Sequence, residues 1–371
     1  MKALLFVFSV LTIAMGEAQE NHRLKAATLA GYAYNYFKSP NTVLVNGDVL
    51  DKNDLIASST FQDIALEYDY RKTWKGHHLS FNLNPFARLF HENMADSYWA
   101  LETSLKYNYK FNKKTKVLAE VHFERMNREG LDGAQDVLVN PLGFTNYGSS
   151  AGVQWLAFKR NRTTMEAFYN FKNFDAYGIR DLQFNEYGVQ LSSKQKFRPG
   201  RYSHAAGLVA YYKKRQYETF NAEADQPNGE RNWDYSKIRV FYRLPLTGHL
   251  ELEPQLIYYG RYDRLQNRSG FHQYGPGLRL RFDNDKTRIT GLLKYQLRNY
   301  TKITAPGTDD LLHYQYMDIS IRLEHRLPIK GMFLTGTTYN RFRETNTVDQ
   351  SSRSFRSYTY QYMGVGLLWK I

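Results

Sequence analysis

Residues 101–111 read Leu-Glu-Thr-Ser-Leu-Lys-Tyr-Asn-Tyr-Lys-Phe, and apolar and polar side chains alternate here over eleven positions. Side chains of a β-strand point to opposite faces in turn, so this spacing places Leu, Tyr and Phe on one face and the charges on the other. A helix has a period of 3.6 residues and would have to bury Glu102 or Lys106. The stretch is therefore predicted to be a strand with one apolar and one polar face.

The same alternation recurs along the chain in segments separated by turn-forming residues. Two clear repeats are residues 64–70 and 238–244. We predict an all-β protein with sixteen strands, at 24–38, 60–74, 78–91, 98–111, 116–127, 147–159, 163–174, 184–197, 201–217, 235–246, 249–263, 271–282, 287–302, 313–327, 331–343 and 356–371.

The connections between these strands alternate in length. Every second connection is a tight turn rich in Gly, Pro, Asn or Lys, at 75–77, 112–114, 161–162, 198–200, 247–248, 284–285 and 329–331. The others are mostly long and hydrophilic, at 40–59, 127–146, 173–183, 218–232, 305–312 and 344–355, with shorter ones at 92–97 and 265–270. This pattern predicts a closed antiparallel transmembrane β-barrel of about sixteen strands, with short periplasmic turns and long extracellular loops.

The first residues indicate export. Met1-Lys2 is a short positive start, residues 3–14 are almost wholly apolar, and Gly16 and Ala18 are small residues suited to a cleavage site. We predict a signal peptide over 1–18 and a barrel domain over 19–371. The chain has no cysteine and no later apolar run long enough for a spanning helix, so the predicted location is the bacterial outer membrane.

The formal net charge of +14 raises the question of nucleic-acid binding. The basic residues are spread over the alternating segments, and no nucleic-acid motif is found. No nucleic-acid partner is expected. The predicted partners are outer-membrane lipid and lipopolysaccharide, the outer-membrane insertion machinery during biogenesis, and other outer-membrane proteins.

The C-terminal segment 363–371 alternates and ends on an apolar residue. It resembles the terminal strand signal read by the outer-membrane insertion machinery. Aromatic residues near strand ends on the apolar faces are predicted to form interfacial girdles. They are Trp99, Tyr107, Tyr109, Tyr258, Tyr262 and Trp369.

Taken over residues 19–371, the chain resembles porin-sized outer-membrane barrels. Its Tyr-, Asn- and Lys-rich strands and the Ala18/Gln19 cut look like those of Bacteroidota. No motif narrows the resemblance to a subfamily. The sequence has no plug domain ahead of the barrel, so energised uptake of the ferric-transporter type is not expected.

If the apolar faces meet lipid, the opposite faces line the lumen, and there the later strands are rich in cations. This predicted basic wall consists of Arg239, Arg243, Arg279, Arg281, Arg288, Lys294, Arg298, Arg322 and Arg326. Acidic residues expected on the same face are Glu251, Glu253, Asp318 and Glu324. Two interpretations stay open: an anion-preferring lining or transverse field, and a salt-bridge lattice that only fills the barrel.

Glu120, His122 and Glu124 share one strand face, but their spacing is too wide for a single metal ion. No metal or other cofactor is predicted. The sequence shows no Gly-x-Ser-x-Gly, no His-Glu-x-x-His and no tight Ser/His/acid grouping, so the protein is not expected to be an enzyme.

Two functions remain. One is a passive porin-like channel for small hydrophilic solutes, with a preference for anions if the basic wall is open to them. The alternative is a non-transporting barrel that acts as a structural or assembly partner in a larger outer-membrane complex. A loop folded into the lumen would favour the porin, and residues 127–146 are the predicted candidate.

Overall fold

The computed structural model describes residues 21–45, 47–128, 143–175, 180–221, 231–265, 270–352 and 355–371. The predicted signal peptide and most of the predicted constriction loop, residues 129–142, lie outside these ranges. No helix in the described residues is both long and apolar enough to cross a membrane.

Within the described ranges the chain forms eighteen strands, of which sixteen close into one antiparallel barrel and two make a small hairpin. The hairpin is β2 (Val43–Val45) with β3 (Asp48–Leu50), followed by helix α1 (Lys52–Leu55). The barrel strands are β1 (His22–Tyr34), β4 (Ser59–Trp74), β5 (His77–Phe90), β6 (Tyr98–Lys110), β7 (Thr115–Asn127), β8 (Phe144–Trp155), β9 (Asn161–Phe174), β10 (Arg180–Phe197), β11 (His204–Asn221), β12 (Arg231–Pro245), β13 (Leu250–Asp263), β14 (Phe271–Asp283), β15 (Thr287–Thr304), β16 (Leu311–Arg326), β17 (Met332–Thr345) and β18 (Tyr358–Lys370).

Each barrel strand pairs with its neighbours along the chain, and β1 closes the ring against β18. The predicted closed sixteen-stranded antiparallel architecture is confirmed. Closure matters because it leaves no strand edge with unpaired backbone groups.

Several boundaries differ from the prediction. The turn predicted at 161–162 is wrong, because β8 ends at Trp155 and β9 already begins at Asn161, so the turn lies at 156–160. The first strand ends at Tyr34, not at residue 38, because Asn35 and Lys38 adopt left-handed backbone conformations, with φ of 52° and 59°. Asn tolerates this region better than most residues. The connection predicted at 173–183 covers only 175–179, because β10 begins at Arg180.

Strand β7 shows how the barrel wall divides its side chains. Val117 and Val121 point outward, and 53% of Val121 is exposed. Glu120 and His122 point inward and line a polar cavity. The predicted girdle residue Trp99 also lies exposed on the outer face. The outer surface is therefore apolar and the inner surface polar, as the alternation predicts.

The short turns cluster at one end of the barrel, where the sequence supplies the required turn chemistry. Lys75 and Gly76 both have positive φ, of 40° and 89°. The Asn112 side chain accepts hydrogen bonds from the backbone N–H groups of Lys114 and Thr115, at 2.7 and 2.8 Å. Asn side chains that close turns in this way fix the register of the flanking strands.

The longer connections at the other end bind one another. Leu44 donates its backbone N–H to Gln350, and Val348 donates to Pro306, at 3.2 and 3.1 Å. Glu92 accepts hydrogen bonds from Ser59 and from Thr60, and these bonds lower the pKa of its carboxyl to about 2. These contacts tie the first, second and last two long connections to the barrel rim.

Candidate functional site in the lumen

Five residues of the two predicted sets form one ion-pair network on β12, β13 and β14. Arg243 contacts Glu251 at 3.0 Å and Glu253 at 2.8 Å. Arg279 contacts Glu253 at 2.8 Å, and Arg281 contacts Glu251 at 3.1 Å. We call this set the carboxylate–arginine network. It lies within a few residues of the short turns.

The strand register produces this network. Glu251 lies directly opposite Arg281, and Glu253 directly opposite Arg279, in the β13–β14 pair. Opposite charges at directly opposed positions attract one another across a sheet. Each glutamate contacts two of the three arginines. These arginines therefore lose most of their capacity to attract a mobile anion.

The remaining predicted residues fall into three groups. Asp318 pairs with Arg341 at 2.6 Å and lies directly opposite Lys294, and Glu324 pairs with Lys370 at 3.1 Å and lies directly opposite Arg288. Arg288 pairs with Asp283 at 2.9 Å near a turn. Arg322 and Arg326 lie on the inward face of β16, and within the described part of the chain no ion pair joins them to a carboxylate.

Above the network, the lumen wall contains a polar cavity of about 350 Å³. Five cationic side chains line it: Lys237, Arg239, Arg279, Lys294 and Arg298. Its other polar lining residues are Tyr211, Tyr259, Gln255, Gln273 and Gln296. None of the described residues that line it is an Asp or Glu. We call it the basic cavity.

Gly277 on β14 leaves room for the side chain of Gln255, which lines the basic cavity. The inward positions 275 and 277 of that strand have no side chain, and the side chain of Gln255 lies over Gly277. A Cβ at Gly277 would lie 2.7 Å from Gln255 Nε2, closer than packing allows. Gln255 is itself only 5% exposed, and its Nε2 donor has no partner in the described structure. A buried amide donor without a partner is costly, and here it belongs to a cavity-lining residue.

The cations of the basic cavity are held by neutral groups. Arg298 donates to Gln273 Oε1 at 2.8 Å, and Arg239 donates to Gln255 Oε1 at 3.4 Å. Among the described residues, Lys237 and Lys294 have no carboxylate within 4.0 Å. Only Arg279 is partly neutralised, through Glu253. The cavity therefore concentrates positive potential in a part of the lumen shielded from bulk water.

A second polar cavity, of about 310 Å³, lies on the lumen side of β7–β10. Glu120, His122 and Glu166 line it together with neutral polar groups. The lumen wall of β7–β10 thus presents two carboxylates in one cavity, of which Glu120 also contacts Lys106 at 3.2 Å.

The start of the first long connection, residues 35–40, packs inside the mouth of the barrel. Tyr36 stacks on the inward-facing Phe90 with ring centroids 4.5 Å apart, and Phe37 joins the same buried cluster with Phe61. The Tyr36 hydroxyl donates to Asp96 and accepts from Asn93. We call residues 35–58 the inward connection.

Two cations accompany the inward connection into the mouth. Lys38 lies with its Nζ 5.3 Å from the ring centre of Tyr360 on β18, and burial together with the nearby Arg341 lowers its pKa. Arg128 lies over the ring of Tyr98 at 5.0 Å, and burial lowers its pKa as well. The entrance at the long-connection end is therefore narrowed by aromatic rings and is positively charged.

Sequence reasoning missed Lys237, which shares an inward face with Arg239 two positions later. The alternation used for the other wall residues would have found it. It also placed Tyr36 and Phe37 within a strand and assigned no role to the three glutamines. Their part in the site depends on long-range packing that a periodic pattern does not contain.

A comparison with models of protein families found no match, and neither did a comparison with curated proteins. Among solved structures, the chain is similar to the ferric citrate transporter FecA, with a TM-score of 0.47 and 10% identity over 94% of this chain and 64% of that one. It is similar to CdiB from Acinetobacter baumannii, with a TM-score of 0.48 and 8% identity over 95% of this chain and 61% of that one. It is also similar to OccAB3 from the same organism, with a TM-score of 0.47 and 9% identity over 94% of this chain and 99% of that one.

The chain spans under two thirds of the length of FecA and of CdiB. All three TM-scores are below 0.5, so these similarities carry no argument about mechanism. The function has to be inferred from the geometry of the chain itself.

Proposed function

We propose that the protein spans the bacterial outer membrane, exported behind the signal peptide predicted at 1–18. The support is the closed barrel with an apolar outer wall and aromatic residues such as Trp99 and Trp369 exposed on it near opposite strand ends. Lipid and lipopolysaccharide would cover that wall, and the insertion machinery would read the last strand. The resemblance to Bacteroidota barrels stays a prediction.

Two neighbouring residues in the middle of β7 test the membrane placement. Val121→Arg should impair assembly, because a cation facing lipid near the bilayer midplane costs roughly 2–4 kcal/mol. His122→Arg is the matched control, since it puts the same side chain into the lumen beside Glu120 and Glu166. Heat-modifiable gel migration measures the folded fraction. Equal losses in the two variants would contradict the placement.

We further propose that the barrel is a passive channel for small hydrophilic solutes with a preference for anions. One observation carries this proposal: the basic cavity, in which five cations and no carboxylate of the described residues line the lumen wall. Its field enriches anions near the β12–β15 wall and, with a range of about 8 Å at physiological salt, weakens as salt rises. In this proposal the protein transports solutes and catalyses no reaction.

Two features support a channel over a solid barrel. Sixteen strands are close to the number at which an aqueous lumen becomes wide enough for solutes. An inward-folded connection is the kind of constriction that sets a size limit on such a lumen, and the inward connection occupies the mouth. The competing function is the non-transporting assembly partner, which would not conduct.

Planar-bilayer recording tests the proposal. The purified barrel should show stable conductance steps and, in a salt gradient, a reversal potential that favours chloride. The double variant Lys237→Glu/Lys294→Glu should move this potential toward cations, most strongly in dilute salt. These lysines are better targets than Arg279 and Arg281, because both arginines hold a glutamate of the network in an ion pair, whereas Lys237 faces Tyr259 and Lys294, although it lies opposite Asp318, has no carboxylate within 4.0 Å among the described residues.

The control is Lys113→Glu/Lys114→Glu, which makes the same change in charge in an exposed turn between β6 and β7. It should shift the reversal potential much less. A folded barrel that never conducts refutes the channel and favours the assembly partner. If Lys237→Glu/Lys294→Glu conducts with an unchanged reversal potential, the protein is still a channel, but the basic cavity does not determine its ion selectivity.

A further inference from the structure

The geometry points to a more specific role for the basic cavity: we propose that it is a binding site for a small organic phosphate, a phosphate monoester of a sugar or polyol. The inference rests on the proposed channel, which it supplies with a substrate class. Its basis is the arrangement of charged and neutral groups around one space in the lumen wall.

The charge of the site requires a multivalent anion. Lys237 and Arg239 reach the cavity from β12, and Lys294 and Arg298 reach it from β15; none of the four has an ion pair within 4.0 Å among the described residues, and Lys294 alone lies opposite a carboxylate, that of Asp318. A chloride ion could neutralise only one of them. A phosphate monoester carries a charge of about −1.5 to −2 at neutral pH and has three strong acceptor oxygens, so it can bind lysines and arginines from several directions at once.

The neutral lining fits the organic part of such a ligand. Gln255, Gln273 and Gln296 present amides that donate and accept, and Tyr211 and Tyr259 present hydroxyls. The Gln255 Nε2 donor is buried and has no partner in the described structure, so a ligand acceptor would satisfy it. The side-chain oxygens of Gln255 and Gln273 already accept from Arg239 and Arg298, so the Gln296 amide and the two tyrosine hydroxyls are the groups that can both donate to and accept from the hydroxyls of a sugar.

The size and position of the cavity agree with this ligand. Its volume of about 350 Å³ lies at the small end of the range of roughly 300–1,000 Å³ typical of small-molecule sites. Below it, the carboxylate–arginine network holds Arg279 in place through Glu253. That contact keeps one guanidinium oriented toward the cavity while its neighbours remain free to bind.

Titration calorimetry on the folded barrel in detergent tests the site without requiring conduction. The probes are glucose 6-phosphate, inorganic phosphate and glucose. We expect glucose 6-phosphate to bind more tightly than inorganic phosphate, and glucose not to bind. Lys237→Gln/Lys294→Gln should weaken binding of glucose 6-phosphate by about tenfold or more, because it removes two charge-assisted contacts.

The matched control is Lys106→Gln/Lys116→Gln, which removes two lumen lysines from β6 and β7 outside the cavity. It should leave the affinity within about twofold, because these lysines make no contact with the site. Gln296→Leu distinguishes recognition of the sugar from recognition of the phosphate. It should weaken the binding of glucose 6-phosphate several-fold and leave the affinity for inorganic phosphate unchanged. Gel migration confirms that each variant is folded.

Different results would refute the binding site and the channel. Binding without conductance supports the site and refutes the channel. Chloride-selective conductance with no binding of either phosphate refutes the site and leaves the channel. Equal weakening by both lysine pairs would also overturn the site, because it would show that glucose 6-phosphate follows the general charge of the lumen.

Discussion

Replacing Tyr36 and Phe37 together with alanine should release the inward connection from the barrel mouth and raise the single-channel conductance. Both rings lie in the buried cluster with Phe61 and Phe90. Truncating a buried aromatic side chain to alanine costs about 3–5 kcal/mol. The barrel strands pair independently of these rings. The lost free energy should therefore weaken the docking of the inward connection and leave the barrel folded.

The expected size of this effect is large even on a cautious estimate. The two rings share contacts, so their losses do not add fully. A loss of about 3 kcal/mol already shifts the docking equilibrium more than a hundredfold. The hydrogen bonds from the Tyr36 hydroxyl to Asp96 and from Asn93 to that hydroxyl disappear with it.

Two measurements check the release of the connection. Bilayer recording should show larger and noisier conductance steps, and trypsin should cut the folded variant faster at the exposed Lys52. Val49→Ala is the control, since Val49 belongs to the same connection and is 63% exposed. Faster cutting with unchanged conductance would show that the inward connection does not constrict the conducting path.

The sequence predicts the barrel well because the information for it is local. Alternation and turn residues are properties of neighbouring positions, and antiparallel pairing between consecutive strands is then specified with little ambiguity. Residues 101–111 predict that Leu105 and Tyr107 share one face of β6, and the structure places both beside the outward-facing Val121. Errors occur where a local backbone feature ends the pattern early, as at Asn35.

The lumen site is predictable only in part. Arg239 and Arg243 share a strand face and look alike in the sequence, yet one lines the basic cavity and the other is held by two glutamates. That difference comes from which residue of β13 lies beside each of them. Likewise, Gly277 leaves room for the side chain of Gln255, which no pattern of charges reveals.

Glu253→Ala should be among the most destabilising single substitutions in the barrel. The Glu253 side chain is only 2% exposed and is shared by Arg243 and Arg279, each 2.8 Å away. Removing it leaves Arg279 without a carboxylate and leaves Arg243 only Glu251, which Arg281 also contacts. Breaking a buried ion pair by removing one partner costs about 3–5 kcal/mol, because an uncompensated charge is left behind.

The matched comparison is Glu67→Ala. Glu67 pairs with Lys25 at 2.5 Å across β1 and β4, with side chains 42% and 32% exposed. Ion pairs that remain in contact with water contribute about 0–1 kcal/mol. Urea unfolding of both variants in the same detergent, monitored by tryptophan fluorescence, gives the two free-energy differences directly.

The charge on Glu253, and not its volume, should cause most of the loss. Glu253→Gln keeps the size of the side chain and removes the charge, so it should lose nearly as much stability as Glu253→Ala. Adding Arg279→Leu to Glu253→Ala removes the cation that is left without a carboxylate and should recover part of the loss. If Glu253→Gln is as stable as the parent, or if Glu253→Ala costs no more than Glu67→Ala, the lumen screens the network as bulk water would. The basic cavity directly above it would then be equally screened, and its power to select anions would be correspondingly weak.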